Sequence, residues 1–166
     1  AFHQVASHGD DTYLFGKGDG NDIIYDANGV DVLRFKAGIL PSDIGLGRSV
    51  QNINDLVVTV QGTMDSVVLK NWFASDEWRT EQLIFEDGTI WGVDLIKKTP
   101  LLGTSENDTI SVGADTQYIF AGAGNDFISA GAGNDVLDGG TGNDAFNDSF
   151  SAFYSYAGEG SDTYSF

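Results

Sequence analysis

Three short segments of the chain repeat the same order of glycine and aspartate. Residues 121–126, 130–135 and 139–144 each place glycine second and fourth and aspartate sixth, and successive aspartates are nine residues apart. Glycine in those places permits the positive φ angles of a tight turn and leaves backbone carbonyl groups unshielded by a Cβ atom. Carboxylate and carbonyl oxygens are the ligands that Ca²⁺ prefers. The repeat therefore predicts calcium binding in turns.

An apolar residue stands two places after each of these aspartates. Ile128, Leu137 and Phe146 fill that slot. Side chains alternate between the two faces of a strand, so a three-residue strand would turn this middle residue inward. One turn and one strand reverse the chain, so units eighteen residues apart become neighbours in a stack. The pattern predicts an all-β fold, a parallel β-roll stabilised by Ca²⁺.

A spacing of eighteen residues predicts two columns of turns. The first column contains Asp108, Asp126, Asp144 and Asp162. The second contains Gln117, Asp135 and Phe153. A Ca²⁺ ion between each neighbouring pair of the first column gives an expectation of at least three ions. We expect weak or incomplete binding in the second column, and an irregular bulge or an unfilled turn at 148–156, which has no turn glycine.

A looser block of the same pattern lies near the start of the chain. Its Gly-x-Asp-x-apolar cores begin at Gly9, Gly20 and Gly29, and their aspartates are 11 and 9 residues apart. The candidate calcium ligands of both blocks are Gly9, Asp11, Gly20, Asp22, Gly29, Asp31, Asp108, Gly122, Gly124, Asp126, Gly131, Gly133, Asp135, Gly140, Gly142, Asp144, Gly160 and Asp162.

The elements between the two blocks follow a different pattern. Residues 55–60, 66–69 and 82–85 are short β-rich runs, and a single helical turn is expected to start near Leu40. We interpret this segment as an antiparallel β module with a small aromatic core. The predicted organisation is one roll block at 1–35, a capping module at 36–98 and a second roll block at 99–166.

Charge and composition exclude several classes of function. The formal net charge is −17, from 25 acidic and 8 basic residues, which repels nucleic acid and anionic membrane surfaces. The chain has no cysteine, so disulfides and thiolate metal sites are excluded. We predict no transmembrane segment, no signal peptide within residues 2–15 and, because the common catalytic motifs are missing, no enzyme activity.

The repeat Gly-Gly-x-Gly-x-Asp-x-apolar-x resembles the nonapeptide of RTX (repeats-in-toxin) proteins, over about residues 9–35 and 103–166. The middle segment is similar to a β-rich module found beside such blocks in large exoproteins. The resemblance implies export by a type I secretion machinery, folding on emergence, and a secreted location, extracellular or at the cell surface. It also implies that the middle module caps the end of the roll.

Two functions from different classes follow. In the first, the chain is a calcium-dependent folding module: stacked carboxylates repel one another without metal, so binding free energy becomes folding free energy. In the second, the aromatic middle segment, which includes Trp72, binds a glycan or a host surface, although packing in a core is the favoured interpretation of these aromatics. Residues 9–15 also match 160–166 at an offset of 151, so we expect the chain to be about one period of a larger array.

Overall fold

The computed structural model describes residues 3–5, 8–113, 117–147 and 154–165. Strands make up 43% of it and helix 7%, which confirms the predicted all-β class. The three predicted segments fall into two compact units: unit 1 comprises residues 1–47 and 54–96, and unit 2 comprises residues 48–53 and 97–166. No helix of the described part is long and apolar enough to cross a membrane.

The described residues up to 96 form nine strands and three helical turns. The strands are β1 (His3–Val5), β2 (Thr12–Phe15), β3 (Asn21–Tyr25), β4 (Asp31–Phe35), β5 (Ile44–Ser49), β6 (Asn52–Val60), β7 (Ser66–Leu69), β8 (Thr80–Ile84) and β9 (Ile90–Gly92). The helical turns are 3₁₀ turns at Pro41–Asp43 and Asp76–Trp78 and the short helix α1 (Val93–Ile96). The first of them is the turn predicted near Leu40.

Parallel pairing continues from the first block into the middle segment of unit 1. β1 pairs with β3 and β2 pairs with β4, and then β7 pairs with β3 and β8 with β4, all in parallel. The predicted antiparallel arrangement holds within the hairpins, where β6 pairs with β7 and β8 pairs with β9. The hairpin strands β7 and β8 thus cover backbone groups that the edges of β3 and β4 would otherwise expose.

Unit 1 has an aromatic core that includes Phe15, Leu33, Trp72 and Phe85. Trp72 is fully buried, its Nε1–H donates to the carbonyl of Thr80 (2.9 Å), and its ring lies 4.7 Å from that of Phe73. These contacts confirm the packing interpretation of Trp72. A buried tryptophan with a satisfied N–H stabilises a core by several kcal/mol, roughly 3–5 when lost to alanine.

The described residues from 97 onward form eight strands of two or three residues. They are β10 (Leu101–Leu102), β11 (Thr109–Ser111), β12 (Tyr118–Phe120), β13 (Phe127–Ser129), β14 (Val136–Asp138), β15 (Ala145–Asn147), β16 (Tyr154–Tyr156) and β17 (Thr163–Ser165). The odd-numbered strands form one parallel sheet in the order β11-β13-β15-β17. The even-numbered strands β10, β12, β14 and β16 follow one another in a second parallel series, and the end of β5 pairs with β10. Residues 148–153, where an irregular turn is predicted, lie outside the described part.

The register of these strands confirms the eighteen-residue stacking. Ile110 lies opposite Ile128, which lies opposite Phe146, and Leu101, Ile119 and Leu137 are aligned in the other sheet. All six side chains are buried in one core cluster. The strands are too short to bury much surface alone, so the turns between them must hold the stack together.

Candidate metal centre

The aspartates of the first column form a ladder of hydrogen bonds between successive levels of unit 2. The backbone N–H of Asp108 donates to Oδ1 of Asp126 (2.8 Å). In the same way Asp126 donates to Oδ1 of Asp144 and Asp144 donates to Oδ1 of Asp162, both at 2.9 Å. Each link joins residues eighteen apart, as the sequence predicts. One oxygen of each acceptor carboxylate is therefore bonded to the backbone of the level before it.

The second oxygen of the two central carboxylates has a different environment. Oδ2 of Asp126 and Oδ2 of Asp144 are buried and have no hydrogen-bond partner among the described residues. Burial raises the pKa of both carboxyl groups; repulsion from Asp144 and Asp108 adds to this at Asp126, and repulsion from Asp162 and Asp138 adds to it at Asp144. A buried charged oxygen without a partner is costly. A cation bound at these oxygens would remove that cost.

The ten predicted turn glycines all have a positive φ angle, between 83° and 156°: Gly9, Gly20, Gly29, Gly122, Gly124, Gly131, Gly133, Gly140, Gly142 and Gly160. Two of them explain why glycine is required. A Cβ atom on Gly140 would lie 1.8 Å from the carbonyl oxygen of Gly122, and one on Gly142 would lie 1.7 Å from that of Gly124. The glycines let carbonyl oxygens of one turn approach the next turn closely.

The residue before each aspartate also links successive levels, which the sequence reasoning missed. The side-chain oxygen of Asn107 accepts the N–H of Asn125, that of Asn125 accepts the N–H of Asn143, and that of Asn143 accepts the N–H of Ser161, each at 2.8 Å. The repeated Asn-Asp pair was the signal for it. Both partners of these bonds are neutral, so the bonds themselves require no metal ion.

The second column has a different set of side chains. Asp135 is fully buried, and its Oδ1 accepts the N–H of Gln117 (2.8 Å), so the same ladder bond is made here. The amide oxygen of Gln117 accepts a hydrogen bond from Nη1 of Arg48 (3.2 Å). Phe153, which would come next in this column, lies outside the described residues.

In unit 1 the structure brings three carboxylates together. The N–H of Asp11 donates to Oδ1 of Asp31 (2.9 Å), and oxygens of Asp11, Asp26 and Asp31 lie within 4.8 Å of one another. Asp11 and Asp31 were predicted as ligands, whereas Asp26 was missed. Asp26 stands in the first place of the turn that ends at Asp31, where the repeat has glycine or alanine, and a carboxylate in that place was the available signal.

Negative charge and burial both affect this cluster. Burial, together with repulsion from Asp26, Glu81 and Asp11, raises the pKa of Asp31 to about 6. Burial also raises the pKa of the Tyr13 phenol, and its hydroxyl group donates to Oδ2 of Asp26. Tyr13 thus remains a neutral donor that orients Asp26. Three carboxylates around a small volume are suited to a hard divalent cation.

Asp22 and Asp65 show how another turn of unit 1 is closed. Asp22 is buried but lies opposite Val67 in β7, so the neighbouring level offers an apolar residue at that position. Asp65, which sequence reasoning missed, accepts the N–H of Gly18 at Oδ2 (2.8 Å) and that of Gly20 at Oδ1 (2.9 Å). These bonds lower the pKa of Asp65. Both of its oxygens have donors, so this carboxylate closes the turn without a cation.

The donor set therefore fits Ca²⁺ best in the first column of unit 2 and at the three-carboxylate cluster of unit 1. The carboxylates of Asp126 and Asp144, with glycine carbonyls of the same turns, would hold an ion in unit 2. Asp11, Asp26 and Asp31 would hold one in unit 1. All of these ligands are oxygens, which selects a hard cation over the transition metals that prefer imidazole or thiolate.

Comparison with protein-family models agrees with this chemistry. Residues 18–39 and 112–146 match the RTX calcium-binding nonapeptide repeat (4 copies), and residues 55–94 match the haemolysin-type calcium binding protein related domain. A search of curated protein sequences gave no match. The repeat matches indicate calcium binding, and they include the ladder residues Asp126, Asp135 and Asp144.

Proposed function

We propose that this chain, which carries RTX calcium-binding repeats, is a module that folds when Ca²⁺ binds, after export of the parent protein from a bacterial cell. RTX repeats of this kind are structural modules and are typical of secreted proteins. The proposed role is structural, the proposed location is extracellular or at the cell surface, and the proposed export route is type I secretion.

One observation supports this proposal above the others: the Oδ2 atoms of Asp126 and Asp144 are buried and have no hydrogen-bond partner in the described part of the chain. In the folded chain without metal, each carries a charge or must bind a proton, and the formal net charge of −17 adds general repulsion. Ca²⁺ between the levels would supply the missing partner. The binding free energy would then become folding free energy, because the unfolded chain has no preformed site.

Calcium concentration would decide where folding happens. Extracellular calcium modules have Kd values of roughly 10⁻⁴–10⁻³ M, whereas cytosolic sensors bind in the range of about 10⁻⁷–10⁻⁵ M. A chain with sites of the extracellular type would stay open inside the cell, in a form that an export channel accepts. It would close outside, where the cation is abundant.

The direct test is far-UV circular dichroism of the chain during a Ca²⁺ titration, with isothermal titration calorimetry to count ions. We expect the sheet signal to rise in step with Ca²⁺ and to fall, without disappearing, in EGTA. Mg²⁺ is the control, because it requires octahedral geometry and keeps its water ligands, so it should fail to induce the fold. Sheet content that is the same in EGTA and in saturating Ca²⁺ would refute the proposal.

An adhesive role for the aromatic middle segment gains no support from Trp72. A sugar platform needs an exposed ring face, and this ring is buried in the core of unit 1. Its place in the core accounts for Trp72 without a role in sugar binding. A glycan-binding function would have to use other residues, and binding to glycan arrays that persists in Trp72→Phe would identify it.

A further inference from the structure

Arg48 has an unusual position in unit 2. It lies opposite Leu101 in β10, and Leu101 is aligned with Ile119 and Leu137 in the following strands. Arg48 thus occupies the inward-facing position of β5, and apolar residues fill the equivalent position in the next three strands. Only 6% of it is exposed. Arginine is almost never buried to this extent unless it is paired, so the position needs an explanation.

The guanidinium group is held by oxygen atoms. Nη1 donates to Oε1 of Gln117 (3.2 Å), while Nε and Nη2 donate to the carbonyl oxygen of Ile53 (3.2 and 3.0 Å). β5 and β12 are two strands apart, a distance of roughly 9–10 Å, so the side chain crosses the level of β10 to reach Gln117. Burial lowers the pKa of Arg48 to about 10, which leaves it cationic at neutral pH.

The residues at the sixth position of the neighbouring repeats are neutral, which suits the positive charge of Arg48. Gln117 stands in the second column where the repeat has aspartate, and Thr99 stands eighteen residues before it. Both are buried and neutral, and Oγ1 of Thr99 has no hydrogen-bond partner among the described residues. A Ca²⁺ ion at this level would find an amide and a hydroxyl instead of two carboxylates. It would also meet the repulsion of a fixed positive charge in a medium that screens poorly.

We propose that Arg48 takes the place of a calcium ion at the first level of the second column. This inference rests on the proposed calcium-dependent fold. The guanidinium contributes the positive charge, Gln117 contributes a neutral acceptor that suits it, and the level needs no metal. The first carboxylate of this column belongs to Asp135, one level after Gln117, and its Oδ1 accepts the N–H of Gln117.

Two variants of the full chain test the assignment. Gln117→Asp with Arg48 retained should form an internal ion pair and bind the same number of Ca²⁺ ions as the wild type. The double variant Arg48→Leu with Gln117→Asp restores an apolar slot and a carboxylate, so it should bind one more ion per chain. In EGTA, the double variant should also melt at a lower temperature than Gln117→Asp. Ions are counted by isothermal titration calorimetry and by metal analysis after gel filtration.

The outcomes separate this assignment from the proposed function. An extra ion in Gln117→Asp alone would overturn the role of Arg48 while leaving calcium-dependent folding intact. A double variant that has the wild-type circular dichroism spectrum in Ca²⁺ but gains no ion would overturn it as well. A wild-type chain that takes up no Ca²⁺ would overturn the proposed function and this assignment together.

Discussion

Replacing Asp126 with asparagine separates the charge of one carboxylate from its shape. Oδ1 of Asp126 accepts the N–H of Asp108, and the amide oxygen of asparagine can make the same bond. Oδ2, which is buried and has no hydrogen-bond partner within the ranges that the structure describes, becomes an NH₂ group. The variant therefore keeps the ladder between levels and removes the negative charge that a cation would need.

In saturating Ca²⁺ this change should be strongly destabilising. Asp126 has an aspartate neighbour in the column on each side, Asp108 and Asp144, so it is shared by two candidate sites. If each site weakens at least about tenfold, each loses about 1.4 kcal/mol of binding free energy. Together they lower the stability of the loaded roll by about 3 kcal/mol. For a unit of this size, the melting temperature should fall by roughly 10–20 °C.

Without calcium, the effect of Asp126→Asn on the stability of the fold should have the opposite sign. Burial and repulsion from Asp144 and Asp108 raise the pKa of Asp126, so its charged form costs the folded state free energy at neutral pH. Asparagine removes that cost. In EGTA the variant should therefore be at least as stable as the wild type. Thermal melts followed by circular dichroism, with and without Ca²⁺, measure both effects.

Asp65→Asn is the matched control. Both oxygens of Asp65 accept backbone N–H groups, from Gly18 and Gly20, and its pKa is lowered rather than raised. Loss of one charged acceptor should destabilise unit 1 to the same extent in Ca²⁺ and in EGTA. If Asp126→Asn behaves like this control, with the same loss of stability in both conditions, then Asp126 is not a calcium ligand.

Three further predictions concern packing and pH. Gly142→Ala should prevent the calcium-loaded roll from forming, because its Cβ would lie 1.7 Å from a carbonyl oxygen. The control is Gly62→Ala, which lies in open space at φ +74° and should lower the free energy of unfolding in urea by only about 1–2 kcal/mol. Trp72→Phe should lower the stability of unit 1 by about 1–3 kcal/mol, since it leaves the carbonyl of Thr80 without its donor, and a melting temperature equal to that of the wild type would contradict the buried placement. In EGTA, the sheet signal should increase as pH falls from 7 toward 5. The pKa of Asp31 in the folded chain is raised to about 6, so the stability that its protonation contributes is present at low pH and lost as pH rises. A sheet signal that falls instead would contradict the raised pKa.

The parts of the fold that depend on local repetition were predictable. The nine-residue spacing fixes which residues face inward, and doubling it gives the observed register of Ile110, Ile128 and Phe146. The turn conformation follows from glycine alone at Gly140 and Gly142, where no other residue fits. Both the strand register and the turn conformation depend only on one nine-residue unit and the unit stacked on it.

The residues that sequence reasoning missed act over long distances or break the pattern. Asp65 closes a turn 45 residues before it, which depends on how the β6–β7 hairpin is placed beside β3. Arg48 reaches Gln117 across 69 residues, and nothing in the local sequence of β5 marks it as part of the second column. Asp26 stands at the first position of its repeat, where the clearest repeats have glycine or alanine, so the pattern did not mark that position as a ligand.

The ladder of unit 2 also has a consequence for length. In the first column, successive levels are joined by the same bonds between residues eighteen apart, from Asp126 to Asp144 and from Asn125 to Asn143. A duplicated copy of residues 126–143 would therefore find its partners ready on both sides and extend the stack by about 4.8 Å. Under the proposed function, the unit would be a spacer whose length changes in fixed increments and whose order depends on the surrounding Ca²⁺ concentration.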